Sequence, residues 1–384
     1  MRPTTSYVVT TFLIILICCS SSCLARKHSH HHKTKHAKKP PPPTSRKQVL
    51  DVEVFGAKAD GKSDNSQAFK KAWDKACNSS ESIKILVPKG KVYYVKHVDF
   101  TGPCHSGISM EIQGTIKSFA QMYDTPKRLW IKFEDVRNME IFGGGTIDGS
   151  GEVWWKNSCK IKKTKPCQSQ SAPTALTFRN CSNLTVSNLR LLNAQQMHVN
   201  FQDCNDVEAS KLLVEAPEES PNTDGIHVTR TSNIKILESQ IRTGDDCVSI
   251  VNGSRNVDVR NIACGPGHGI SIGSLGEDNT ENYVSNIFVK GATFTGTTNG
   301  VRIKTWQKSA VQVENVVYRN IGGTSASKVA INLNCSESVP CKNVVLQNVM
   351  LTAQQKGEKV EASCTHLAMQ TTKLNSLPSC SLNN

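Results

Sequence analysis

Asp224-Gly-Ile-His-Val228, Asp246-Cys-Val-Ser-Ile250, His268-Gly-Ile-Ser-Ile272 and Asn299-Gly-Val-Arg-Ile303 fall into one register, each reading polar, small, aliphatic, polar, aliphatic. The rows follow one another at 22, 22 and 31 residues. Repeats of that length build solenoids, and the alternation makes each row a strand with one face in a core. Ile226, Val228, Val248, Ile250, Ile270, Ile272, Val301 and Ile303 are predicted to point inward. His227, Ser249, Ser271 and Arg302 then form an outward column, beside a column of Asp224, Asp246, His268 and Asn299. Gln195-Gln-Met-His-Val199 before the block and Ser327-Lys-Val-Ala-Ile331 after it extend the register.

A second series repeats an asparagine ahead of an alternating strand: Asn138-Met-Glu-Ile, Asn183-Leu-Thr-Val, Asn233-Ile-Lys-Ile, Asn256-Val-Asp-Val, Asn286-Ile-Phe-Val and Asn343-Val-Val-Leu. It reads as another sheet of the same solenoid. The stretch from Asn138 to Asn183, with Gly143-Gly-Gly and Trp154-Trp155, breaks the period and is expected to be a large loop or irregular coil. The fold class is all-β, a right-handed parallel β-helix, the hand following the preference of parallel crossovers. An antiparallel sandwich also uses short strands, but hairpins would not give successive rows a shared register. After Asp64, the stripe Ala68, Phe69, Ala72, Trp73 and Ala76 predicts an amphipathic helix capping the open first coil.

Outside the solenoid, Arg2, the apolar run Val8 to Cys19 and Leu24-Ala25 have the form of a cleaved secretory signal, residues 1–25. Residues 26–48 form a basic, His- and Pro-rich arm expected to be disordered, leaving 49–384 as one folded domain. The formal charge is +14; Arg2 and eight arm cations carry nine of it, so residues 48–384 keep only +5. The basic arm could hold nucleic acid, but secretion makes that an unexpected partner, and the arm suits an acidic polysaccharide or serves as a spacer. No stable membrane insertion is expected, and the protein is expected to be a monomer. Twelve cysteines beyond the signal, an even number, suit an exported protein with disulfides. Cys335 with Cys341, Cys364 with Cys380 and Cys247 with Cys264 are candidate pairs. Asn78, Asn180, Asn183, Asn252 and Asn334 stand in glycosylation sequons.

Three carboxylates, Asp224, Asp245 and Asp246, lie within two adjacent rows, so at least one should have a raised pKa and be able to give up a proton. A protonated acid facing an ionised carboxylate is the equipment of glycoside hydrolysis. His268 can orient the acid, and Arg302 and Lys304 on the same face suit an anionic sugar such as a uronate. His198 and His227 are expected to be structural or peripheral.

At these residues the sequence resembles a known family. Asn222-Thr-Asp, Gly244-Asp-Asp, Gly267-His-Gly and Arg302-Ile-Lys look like the four signatures of the polygalacturonases, the pectin-cleaving glycoside hydrolases of family 28, in the same order. The resemblance extends from about Val52 to Cys380, and Phe55-Gly-Ala and Gly145-Thr-Ile-Asp-Gly are also similar to plant members. It implies inverting hydrolysis of α-1,4-linked galacturonan in the cell wall, outside the cell. Asp245 would be the general acid, Asp224 and Asp246 would hold and deprotonate the water, and His268 would support the acid. Arg302, Lys304 and Asn222 would meet the substrate, polygalacturonate, and no cofactor or metal is implied. Compared with plant members the chain lacks about one coil after Gln307, with its substrate-side tyrosine. Asn299 to Ser327 is still 28 residues, so the remaining rows are expected to close up in register. Two other readings are a pectin-binding wall protein without turnover and a pectate lyase. A lyase would need a calcium-binding carboxylate group and an arginine base.

Overall fold

In the computed structural model, residues 48–122, 128–164, 172–306, 310–368 and 373–379 are described. The expected signal (residues 1–25), almost all of the expected basic arm, Gln307 and Cys380 lie outside these residues.

The four rows are parallel strands in the predicted register, Ile226 beside Val248, Val248 beside Ile270, and Ile270 beside Val301. They close a face of eight strands that begins at Val98–Thr101 and ends at Val301–Thr305. A second face stacks nine strands from Gln48–Asp51 to Ser285–Lys290. Two of these, Ser182–Leu192 and Asn205–Glu215, run on around a corner and join a third face of short strands such as Gln240–Arg242 and Ala263–Cys264. All of these pairings are parallel, which gives the right-handed parallel β-helix.

The asparagine series marks one corner of the coil. Asn138, Asn183, Asn233, Asn256, Asn286 and Asn343 all take positive φ, the left-handed region that asparagine tolerates best after glycine. The side-chain amides stack between coils: Asn256 donates to Asn233 at 2.8 Å and Asn286 to Asn256 at 2.9 Å. Inside, Phe100, Phe133, Phe178 and Phe201 stack in sequence at 4.8, 5.3 and 5.3 Å between ring centres. The predicted helix is Ser66–Cys77; its apolar stripe is buried, and Trp73 covers Phe100 and donates its indole N–H to Thr101 O at 3.1 Å. Cys77 bridges to Cys104 and fastens the helix to the first coils. Cys247–Cys264 and Cys335–Cys341 are bonded as expected. Cys364 is disulfide-bonded too, and its candidate partner Cys380 lies outside the described residues.

Three expectations are corrected. The row before the block is not Gln195 to Val199: Val199 pairs with Ile226 and Asn200 with His227, a slip of two residues. A two-residue slip preserves which side chains point inward, so alternation alone cannot detect it. The stretch after Gly143 is not all loop, since Thr146–Asp148 joins the third face and Glu152–Trp155 is a helical turn. Finally, the rows do not close up after Thr305. Val329–Asn334 pairs with Glu361–Thr365, and Glu314–Ser325 with Lys342–Ala353, in sheets separate from the first. The core divides there as well, one cluster running from Leu50 to Ile270 and two small ones around Val344 and Leu346. Of the eight residues predicted to point inward, Ile226, Val228, Val248, Ile250 and Ile270 are buried. Ile272, Val301 and Ile303, nearest the break, are half-buried.

Candidate active site

The site lies where each coil turns from the short third face into the eight-stranded face. Main-chain bonds stack these turns: His198 N–H donates to Asp224 O, Gly225 N–H to Asp246 O, and His268 N–H to Asp245 O, all at 2.8 to 2.9 Å. Two glycines let the turns come this close. A Cβ on Gly244 would lie 2.1 Å from Ser220 O, and Gly267, at φ +131°, has Asp245 O in the place its Cβ would need. The disulfide Cys247–Cys264 holds the Asp245–Asp246 turn to the following coil.

The carboxylates face different partners. Asp245 Oδ1 takes the Asp246 backbone N–H at 2.8 Å and lies 2.9 Å from His268 Nδ1, while Asn222 donates to Oδ2 at 3.4 Å. Asp246, nearly wholly buried, accepts from Ser271 at 2.7 Å, Arg302 at 2.8 Å and Lys304 at 3.1 Å. Asp224, also buried, accepts from Ser249 at 2.7 Å, and Ser249 Oγ lies 2.7 Å from His227 Nδ1. All seven sequence-predicted site residues thus meet in one constellation. Arg302 and Lys304 are both paired with Asp246, and their side chains remain 26% and 30% exposed. Ligand atoms of Asp245, Asp246 and His268 come within 4.8 Å of one another, yet those carboxylates already serve the donors named above.

Two residues had no assigned role. Ser249 and Ser271 stood in the predicted outward column, which was the available signal. His198, expected to be structural or peripheral, lies behind the site in a place hidden by the two-residue slip, its Nδ1 3.1 Å from Asp224 O and its Nε2 3.3 Å from Glu215 O and 3.4 Å from Ala194 N. With a carbonyl at each ring nitrogen, the single N–H of the neutral ring serves only one of them.

Burial, followed by the charge of Asp245, pushes the Asp224 carboxyl up to about 8, so in the free site it holds a proton. Burial depresses His198 and His227 to about 4 each, so both stay neutral. These shifts oppose one another in stability. Between about pH 4 and 6.5 the unfolded chain binds two protons on the histidines that the folded chain refuses, against one that Asp224 keeps, so stability rises with pH. Above 6.5 only Asp224 contributes, and because its folded value is the higher, stability falls as pH approaches 8. The expected result is a maximum near pH 6.5 with a loss of roughly 2 kcal/mol by pH 8. Asp224→Asn should abolish the alkaline loss, and urea midpoints of the two chains from pH 4 to 8 check it.

Comparison with known proteins gives one family. The model of the glycosyl hydrolases family 28 matches residues 77–321 and 307–373. The two matches overlap over 307–321, so these residues answer to two places in the family pattern. The polygalacturonase QRT2 of Arabidopsis thaliana is 48% identical over 368 aligned positions, covering 85% of this chain and 83% of the relative. Since 85% of 384 residues is about 326, about 42 of those positions are gaps in this chain. Polygalacturonase-2 of Solanum lycopersicum is 47% identical over 83% of this chain and 78% of its own. Among solved structures, endo-xylogalacturonan hydrolase from Aspergillus tubingensis superposes with a TM-score of 0.70 at 25% identity, over 87% of this chain and 91% of the other.

Proposed function

Because this chain belongs to the glycosyl hydrolases of family 28 and is a glycosidase acting on pectin, we propose that it cleaves α-1,4-galacturonosyl linkages with inversion. In this reading Asp245 is the general acid, and Asp224 and Asp246 hold and deprotonate the attacking water. The observation that supports it is the gathering of three carboxylates from two stacked turns, with His268 on one and two cations on another. Asp245 is the most exposed carboxylate of the three and has an imidazole at hand to support its proton. Arg302 and Lys304 balance Asp246 and present their remaining N–H groups to a uronate carboxylate entering the groove. The leader, the disulfides and the sequons together support secretion to the cell wall.

The test is hydrolysis of polygalacturonate followed by reducing-end assay and proton NMR of the first product. The β-anomer appearing first supports inversion, and the α-anomer overturns it. Unsaturated, ultraviolet-absorbing products would mark a lyase, and binding without new reducing ends a wall-binding protein.

One observation favours a second reading. The raised pKa belongs to Asp224, which makes Asp224 the resting proton carrier and leaves Asp245 and Asp246 for the water. The two assignments part in the leaving-group experiment described below.

A further inference from the structure

The helix ends twice. Among the described residues, Ser285–Lys290, Thr293–Phe294 and Val301–Thr305 have no strand on their C-terminal side, and Glu314–Ser325 and Val329–Asn334 have none on their N-terminal side. Both edges carry apolar groups that earlier coils bury. Ile234, Ile236, Val257 and Val259 are fully covered, whereas Ile287, Val289, Phe294, Val316 and Tyr318 are half-exposed.

The two edges match each other. Set Ser285-Asn-Ile-Phe-Val-Lys290 against Glu314-Asn-Val-Val-Tyr-Arg319 and every position finds its kind. Ile287 meets Val316 and Val289 meets Tyr318 on the inner side. Phe288, 48% exposed, meets Val317, 53% exposed, on the outer side. Lys290 would stand beside Arg319, a pairing the helix already accommodates where Arg260 stands beside Lys290. The asparagine ladder has the same complementarity. It stops at Asn286, whose Oδ1 receives nothing among the described residues, and resumes at Asn315, whose Nδ2 donates to nothing while its Oδ1 accepts from Asn343 at 2.7 Å. On the other face, Val301 and Ile303 would lie beside Val329 and Ile331, placing Asn332 next to Lys304.

Each chain therefore carries an acceptor edge and the donor edge that fits it, and within the chain these do not meet. We propose that two copies of this chain dimerise by reciprocal exchange, the coils of residues 314–377 of one copy stacking in parallel on the 285–305 edge of the other. Strand addition of this kind supplies main-chain hydrogen bonds for affinity and side-chain alternation for register. Reciprocity gives two identical junctions about a twofold axis and leaves neither edge bare, a closed arrangement in contrast to head-to-tail stacking. The dimer replaces the monomer expected from sequence. It also brings the second copy's Asn332 beside Lys304, whose own ammonium reaches Asp246 two rows away, so a partner residue extends the groove.

Two single variants, Phe288→Cys and Val317→Cys, test this. Neighbouring parallel strands stand about 5 Å apart, within disulfide range. Mixed and mildly oxidised, the two purified chains are expected to give a covalent heterodimer on a non-reducing gel, and light scattering of the unaltered chain should read twice the chain mass. A chain that scatters as a monomer and forms no mixed disulfide overturns the proposal. So does a double variant that cross-links only within itself, which would mean that the edges close inside one chain. A concentration-dependent series of larger species would mean head-to-tail stacking and equally overturns the reciprocal dimer.

Discussion

Asp245→Asn is expected to lower the release of reducing ends from polygalacturonate by about a hundredfold to ten-thousandfold while the chain stays folded. General acid catalysis contributes roughly 10² to 10⁴ in rate, and a galacturonosyl leaving oxygen needs its proton. The substitution is nearly isosteric. It keeps an acceptor for the Asp246 N–H and leaves the ion pairs of Asp246 untouched, so the urea midpoint should hardly move. The decisive comparison uses an aryl galacturonide whose phenolate departs without protonation. If Asp245 is the acid, Asp245→Asn regains most of its rate on that substrate while Asp224→Asn does not, because water activation is still missing. The opposite pattern, rescue of Asp224→Asn alone, would assign the proton to Asp224, where burial places it in the free site. Equal loss in both with no rescue would mean that neither is the acid.

Arg302→Ala is expected to lower kcat/KM by about a hundredfold or more and to destabilise the fold as well. Asp246 is almost fully buried and takes Arg302 at 2.8 Å, and the same guanidinium donates through Nε to Ser271 at 2.8 Å. Removing one partner of a buried pair leaves its charge short of compensation at a cost of about 3 to 5 kcal/mol, and the persisting Lys304 contact argues for the lower end. The activity loss has a second source, a cation withdrawn from the groove, and should appear in KM as well as kcat. Asp246→Asn combined with Arg302→Ala separates the two effects: stability should largely return, because no buried charge is left uncompensated, while activity stays lost. A double variant as unstable as Arg302→Ala would show that the arginine acts by packing.

The alternation of aliphatic and polar residues in the four rows carried the fold, because in a parallel solenoid every coil repeats the same environment and the sequence must repeat with it. The asparagine series was legible for the same reason: one corner of each coil demands left-handed backbone, and asparagine supplies both the conformation and a stacking amide. The register alone makes neighbours of the columns Asp224, Asp246, His268, Asn299 and His227, Ser249, Ser271, Arg302, and they stand so in the fold. What periodicity could not resolve was phase. A slip of two residues moved His198 out of its true place behind Asp224, and nothing in an alternating pattern penalises an even shift.

By itself, the sequence determined the solenoid, its capping helix and the residues that gather at the site, while Cys247 with Cys264 was only one of three candidate pairs. The first three follow from local patterns that recur at fixed intervals. Only the tertiary structure decided which carboxylate is buried with a proton, that Arg302 and Lys304 are both paired with Asp246, and that the helix is interrupted after Thr305. Charge partners depend on distances between side chains from different coils. Stacking depends on whether each edge meets a neighbour, and both are properties of the assembled helix that no single row contains.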